Sequence, residues 1–148
     1  MADQPQPSPA TPTLPPTGNA HVDRMLQGML GAPYLEQADL DGTSLSLYFR
    51  GDDSYFASEE FMARLVMGGA FGLFFRCGIE TATFWFYRNE QDVKLRVEKS
   101  AFNAFFGLSD KQMAKLAADP DRFEASPVHK VNEQRQWEFY LHFSKAQK

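Results

Sequence analysis

Between Glu80 and Val97 the chain reads ETATFWFYRNEQDVKLRV, two runs rich in alternating side chains with a short polar stretch between them. A period of two sends successive side chains to opposite faces, and Thr, Val and aromatic residues fit a pleated, half-buried surface, so the segment predicts a β-hairpin. Pairing Glu80–Arg88 with Val93–Lys99 across either a two- or a four-residue loop gives the same parity, with Arg88 opposite Val93. Phe84 and Phe86 then meet Val97 and Leu95 on an inner face, while Trp85 meets Arg96 and Tyr87 meets Lys94 on an outer one.

The rest of the chain arranges itself around this hairpin. Val22, Met25, Leu26, Met29 and Leu30 recur at helical spacing after Asn19. From Tyr34 the period becomes two, and Asp41-Gly42 has the composition of a type I′ turn joining Leu35–Leu40 to Thr43–Arg50, with Ala38, Leu45, Leu47 and Phe49 on one face. Asp52, Asp53 and Ser54 mark a loop; Ser58 is the expected N-cap of a helix to about Cys77, stopped by Gly78. That helix is apolar on nearly all sides, and Gly68, Gly69 and Gly72 each weaken it unless something approaches closely. Ser100 is expected to cap one short helix, and Ser109 with Gln112 forms a capping box for another that ends at Asp119-Pro120. Trp137, Phe139, Leu141 and Phe143 alternate with Glu138, Tyr140 and His142, the pattern of a closing strand.

The expected fold is therefore α+β: a mainly antiparallel sheet of about five strands, two β-hairpins plus the C-terminal strand, packed with helices. Residues 1–19 hold six of the nine prolines and one charged side chain, Asp3, and are expected to form a disordered Pro-rich tail before a single domain over 20–148. The tail lacks the basic and apolar regions of a signal peptide, and its Pro9–Pro12 spacing lacks the basic neighbour usual in SH3-type ligands. Leu65–Phe75 is too short to span a bilayer, so no membrane contact is expected, and the lone Cys77 points to a cytoplasmic setting.

Motifs that would mark an enzyme do not occur. His21, His129 and His142 lie far apart, which gives no local metal-binding motif and no expected metal. Asp39-Leu-Asp41-Gly42 is not an EF-hand loop, because Arg50 stands where its bidentate Glu belongs. The acidic set Glu36, Asp39, Asp41, Asp52, Asp53, Glu59 and Glu60 reads as a solvated face, with weak cation binding or a basic partner as the other uses. Gly68–Gly72 carries neither a dinucleotide fingerprint nor a Walker lysine, so no cofactor is expected; its GxxxG spacing favours close internal packing over a helix-mediated dimer. Cys77 beside Arg76 is a core residue unless the cation activates its thiol.

What remains is the outer face. If the closing strand joins the second hairpin, Trp85, Tyr87, Lys94, Arg96, Tyr140 and His142 stand together as an aromatic and basic surface. Trp, Tyr and Arg are the residues of interface hot spots, which predicts a non-catalytic protein-interaction module, adaptor or chaperone-like, acting as a homodimer. The alternative is a single-stranded nucleic-acid-binding protein that stacks bases on the same aromatics; the net charge of −4 and the lack of an RNP-type motif weigh against it. A third outcome is that helices cover the face. The element order resembles small secretion-chaperone and adaptor folds, compact domains that dimerise and hold other proteins, but no residues match, so the resemblance is one of topology alone.

Overall fold

The computed structural model describes residues 17–29, 31–50, 59–87 and 92–145. Helix α1 (Ala20–Gly28) starts at Asn19, whose side chain accepts from the N–H groups of His21 and Val22. A 3-10 turn (Ala32–Tyr34) leads into strands β1 (Leu35–Asp41) and β2 (Ser44–Arg50); helix α2 (Glu59–Arg76) then leads to β3 (Thr81–Tyr87) and β4 (Val93–Glu98). Helices α3 (Lys99–Phe106), α4 (Asp110–Ala118), α5 (Pro120–Glu124) and α6 (Glu133–Lys145) follow. Residues 1–16 of the expected tail, Leu30, the Asp52–Ser54 loop, the Ser58 cap and the first part of the Asn89–Asp92 loop lie outside the described residues, while Thr17, at the end of that expected tail, is held to Asp23 by its N–H and hydroxyl.

The strands form one four-stranded sheet in the order β1-β2-β3-β4. β1–β2 and β3–β4 are antiparallel hairpins, but β2 and β3 run parallel, so the sheet is mixed rather than mainly antiparallel. The reason lies in α2. Its 18 residues rise about 27 Å at 1.5 Å each, enough to carry the chain back along a seven-residue strand of about 23 Å.

The expected fifth strand is a helix. Asn132 begins α6, its side chain accepting from the Arg135 N–H at 2.8 Å and its carbonyl from the Gln136 N–H at 3.0 Å. Gln136, Phe139 and Phe143, three and four residues apart, form the buried stripe, while Trp137 stays 43% exposed. The alternation seen in the sequence is therefore incidental. It places Trp137 and Phe139 on one face, whereas the helix turns them apart.

Both hairpins correct the expected pairing by a small step. The first turn places Gly42 and Thr43 between the paired Asp41 and Ser44; only Gly42 has a left-handed φ, which excludes the type I′ turn. In the second, Phe86 opposes Val93 and Trp85 opposes Lys94. The register thus slips by two residues from the expected one, and an even slip leaves every side chain on its expected face.

Three straight rows of side chains result on the inner face: Leu35-Phe49-Phe86-Val93, Ala38-Leu47-Phe84-Leu95 and Leu40-Leu45-Ala82-Val97. All belong to or pack against one hydrophobic core with α1, α2, α3, α4 and α6. Within the helical layer Phe102 of α3 lies edge-on to Phe74 of α2 at 5.5 Å and to Phe139 of α6 at 6.2 Å. The capping box of Ser109 and Gln112 is present, and Asp119 ends α4 while capping α5. Glu98, rather than Ser100, precedes the first residue of α3.

The α2 glycines divide by surroundings. A Cβ on Gly69 would stand 2.8 Å from Met29 Cε and 3.3 Å from Phe84 Cε2, and one on Gly72 would overlap the thioether of Met25. α1 and its C-cap Met29 thus lie against α2 at Gly69 and Gly72, so the close internal packing uses only Gly72 of the GxxxG pair Gly68–Gly72. A Cβ on Gly68 would meet nothing within 4 Å.

Two expectations follow for chemical denaturation. Gly68→Ala raises stability by up to about 1 kcal/mol, whereas Gly72→Ala, which must displace Met25, lowers it by on the order of 1 kcal/mol. Phe139→Ala costs about 3–5 kcal/mol, but Trp137→Ala costs under about 1 kcal/mol; similar losses at both would mean that the segment is a strand.

Candidate functional site

Every described helix that packs on the sheet does so against the inner rows, and the outward side chains form their own rows. These are Gln37-Tyr48-Trp85-Lys94, Asp39-Ser46-Thr83-Arg96 and Asp41-Ser44-Thr81-Glu98, with Arg50 opposite Tyr87 beyond them. Tyr48, Trp85 and Tyr87 are half-buried and none belongs to the core. The parallel β2–β3 pairing creates this cluster, because it brings Tyr48 directly beside Trp85.

The three rings stand parallel within 7° at the corners of a nearly regular triangle, with centroid separations of 6.4 Å for Tyr48–Trp85 and 6.3 Å for both Tyr48–Tyr87 and Trp85–Tyr87. Cations flank them. Lys94 Nζ lies 5.0 Å from the Trp85 centroid and Arg50 Cζ 5.4 Å from that of Tyr87, within cation–π range. Arg50 also pairs with Glu36 at 3.1 Å and Arg96 with Glu98 at 3.0 Å, both in solvent, where such pairs contribute little stability but orient the side chains.

Four of the six expected residues, Trp85, Tyr87, Lys94 and Arg96, therefore share the outward face. Tyr140 and His142 do not, because α6 is a helix in the other layer: Tyr140 stacks on Trp137 at 5.7 Å and His142 lies 4.7 Å from Phe143. Tyr48 and Arg50 take their place. Their parity on β2, opposite to Leu47 and Phe49, was visible in the sequence, but their proximity to Trp85 and Tyr87 depends on strand order.

A shallow open groove of about 780 Å³ lies elsewhere, lined by Glu80, Glu98, Lys99, Asn103, Ser109 and Asp110 among others. Several of its polar groups hold elements together, although the buried Asn103 Oδ1 has no hydrogen-bond partner among the described residues. Lys99 bridges Glu80 at 3.2 Å and Asp110 at 3.7 Å, and the Ser109 hydroxyl caps α4. The three histidines sit on α1, on the loop after α5 and on α6. Among the described residues no group of three or more His, Cys, Asp or Glu is placed to hold a metal ion, and no helix is long and apolar enough to cross a membrane.

Burial pushes the Cys77 thiol above its ordinary value, outweighing the opposing pull of Arg76. It is therefore not an activated nucleophile. Alkylation by iodoacetamide at pH 7.5 should run slower for Cys77 than for free cysteine, and the gap should narrow as pH rises past the usual thiol range; a faster rate at pH 7.5 would contradict this.

Compared with protein-family models, with curated proteins and with solved structures, the chain matches none.

Proposed function

We propose that this chain is a non-catalytic protein-interaction module, adaptor or chaperone-like, that binds through the outward face of its sheet and takes a second copy of itself as partner. The observation that carries this is the one-sided sheet: three aromatic rings stand outside the core on the face opposite the helices. Tyr, Trp and Arg are the side chains that contribute most when desolvated by a partner. Parallel rings held by neighbouring strands lose little conformational freedom on binding, so association costs less than it would on a loop.

Charge separates this from the nucleic-acid reading. The outward rows hold Arg50, Lys94 and Arg96, but also Asp39, Asp41 and Glu98. With Glu36 paired to Arg50, the anions outnumber the cations by one, so a phosphate backbone would meet no net attraction on this face. A protein surface with patches of both signs suits it better.

The test is self-association by light scattering at rising concentration. Trp85→Ala and Tyr87→Ala should each weaken association about tenfold or more while shifting the unfolding free energy by under about 1 kcal/mol, because neither side chain is part of the core. A loss of several kcal/mol at Trp85 would make the face interior and remove the reading. Tight, steeply salt-dependent binding of a labelled oligonucleotide would favour the nucleic-acid alternative.

A further inference from the structure

The outward face is ordered in columns as well as rows. Edge strand β1 presents Gln37, Asp39 and Asp41; edge strand β4 presents Lys94, Arg96 and Glu98; serine, threonine and the aromatics lie between them. The β1 edge is acidic, two of the three outward cations stand on the β4 edge beside Glu98, and the third, Arg50, lies on β2. We propose that a second copy of the chain docks on this face about a two-fold axis parallel to the strands and above the line between β2 and β3, pairing Asp39 of each protomer with Arg96 of the other. This rests on the protein-binding reading above.

Geometry gives the pairing. A half-turn about such an axis reverses the order of strands and keeps each row at its own level. β1 then lies over the partner's β4 and β2 over the partner's β3. Asp39 faces the partner's Arg96, Gln37 faces the partner's Lys94, Ser46 faces the partner's Thr83, and Tyr48 faces the partner's Trp85. Each contact occurs twice, as an isologous interface requires. Facing sheets pack about 10 Å apart, a gap that a long arginine and a short aspartate bridge together.

The other two-fold in the plane, perpendicular to the strands, is disfavoured by the same charges. It lays β1 over the partner's β1 and β4 over the partner's β4 with the rows reversed, so that, centred on the middle row, Asp39 meets the partner's Asp39 and Arg96 the partner's Arg96, with only Lys94 gaining the partner's Glu98. Like charges across an interface are costly. In the proposed arrangement only the outermost row opposes like charges, Asp41 to the partner's Glu98, at the rim where solvent screens them.

Size sets the strength. Four strands about 4.8 Å apart and seven residues long cover on the order of 400 Å² per protomer, about half the contribution of each partner in a standard stable interface. The dimer should therefore be weak and concentration-dependent, with micromolar exchange.

Sedimentation of the full chain from about 5 to about 500 μM tests this with Asp39→Arg and Arg96→Asp, both at exposed positions, with circular dichroism to confirm folding. Each reversal alone should weaken dimerisation about tenfold or more, because both copies of the pair become repulsive. An equimolar mixture should recover wild-type affinity: the mixed dimer holds one Asp39–Arg96 pair and one reversed pair, both attractive. High salt should erase the differences.

A mixture that fails to recover, or reversals without effect, overturns the pairing. If Trp85→Ala still dissolves such a dimer, the face is an interface of another geometry and the functional reading stands; if it does not, that reading fails too. A chain that stays monomeric over the whole range also overturns the proposal, including the case in which removing residues 1–16 allows dimers to form, which would make the tail the occupant.

Discussion

The burial of one face of the sheet under α2 is the interaction on which the remainder of the molecule depends. Three rows of four apolar side chains cannot be left in water; α2 covers them together with α6 and α3, which pack on β4, and α2 carries the chain back to start β3 beside β2. The parallel step at the centre of the sheet follows from that return. So does the outward aromatic cluster, because the parallel β2–β3 pair in this register sets Tyr48 beside Trp85. The helix is apolar on most sides because it has several neighbours: the sheet at Phe84, α1 through Met25 and Met29, and the α4 and α6 helices. Gly69 and Gly72 make room for the α1 methionines, and this close approach offsets the propensity that glycine forfeits inside a helix.

Local chemistry was legible in the sequence where one physical signal acted alone. The Ser109–Gln112 capping box and the two faces of the second hairpin were readable from neighbouring residues. The hairpin's faces survived an error in register because a slip of two preserves parity. Its loop, longer than a tight turn, leaves the register to be decided by packing. At the C-terminus two signals conflicted. Trp137, Phe139, Leu141 and Phe143 satisfy a period of two, while Gln136, Phe139 and Phe143 satisfy a helix, and Asn132 as N-cap together with burial of the helical set decides between them. Strand order was not legible at all, since nothing near Tyr48 in the sequence refers to Trp85. The site was consequently two residues short, at Tyr48 and Arg50, and two residues over, at Tyr140 and His142.

Chemically, the outward face is a gradient. Carboxylates and an amide occupy the β1 edge, hydroxyls, parallel rings and Arg50 the middle, and Lys94, Arg96 and Glu98 the β4 edge. A surface of this kind exposes aromatic area without adding a net positive charge. The open groove beside α3 and α4 differs in kind. There Lys99 and the Ser109 cap connect strand ends to helices, and their roles are complete within the fold.

The chain has two tryptophans, one on each layer, which permits a direct measurement of the central claim that the sheet is buried on one side and open to a partner on the other. Indole N–H signals in ¹⁵N-labelled protein, followed over a dilution series, report on both at once. The account predicts that the Trp85 signal shifts with concentration while the Trp137 signal stays fixed. A fixed Trp85 beside a moving Trp137 would contradict it, placing the interacting surface on α6 and leaving the outward face of the sheet without a partner.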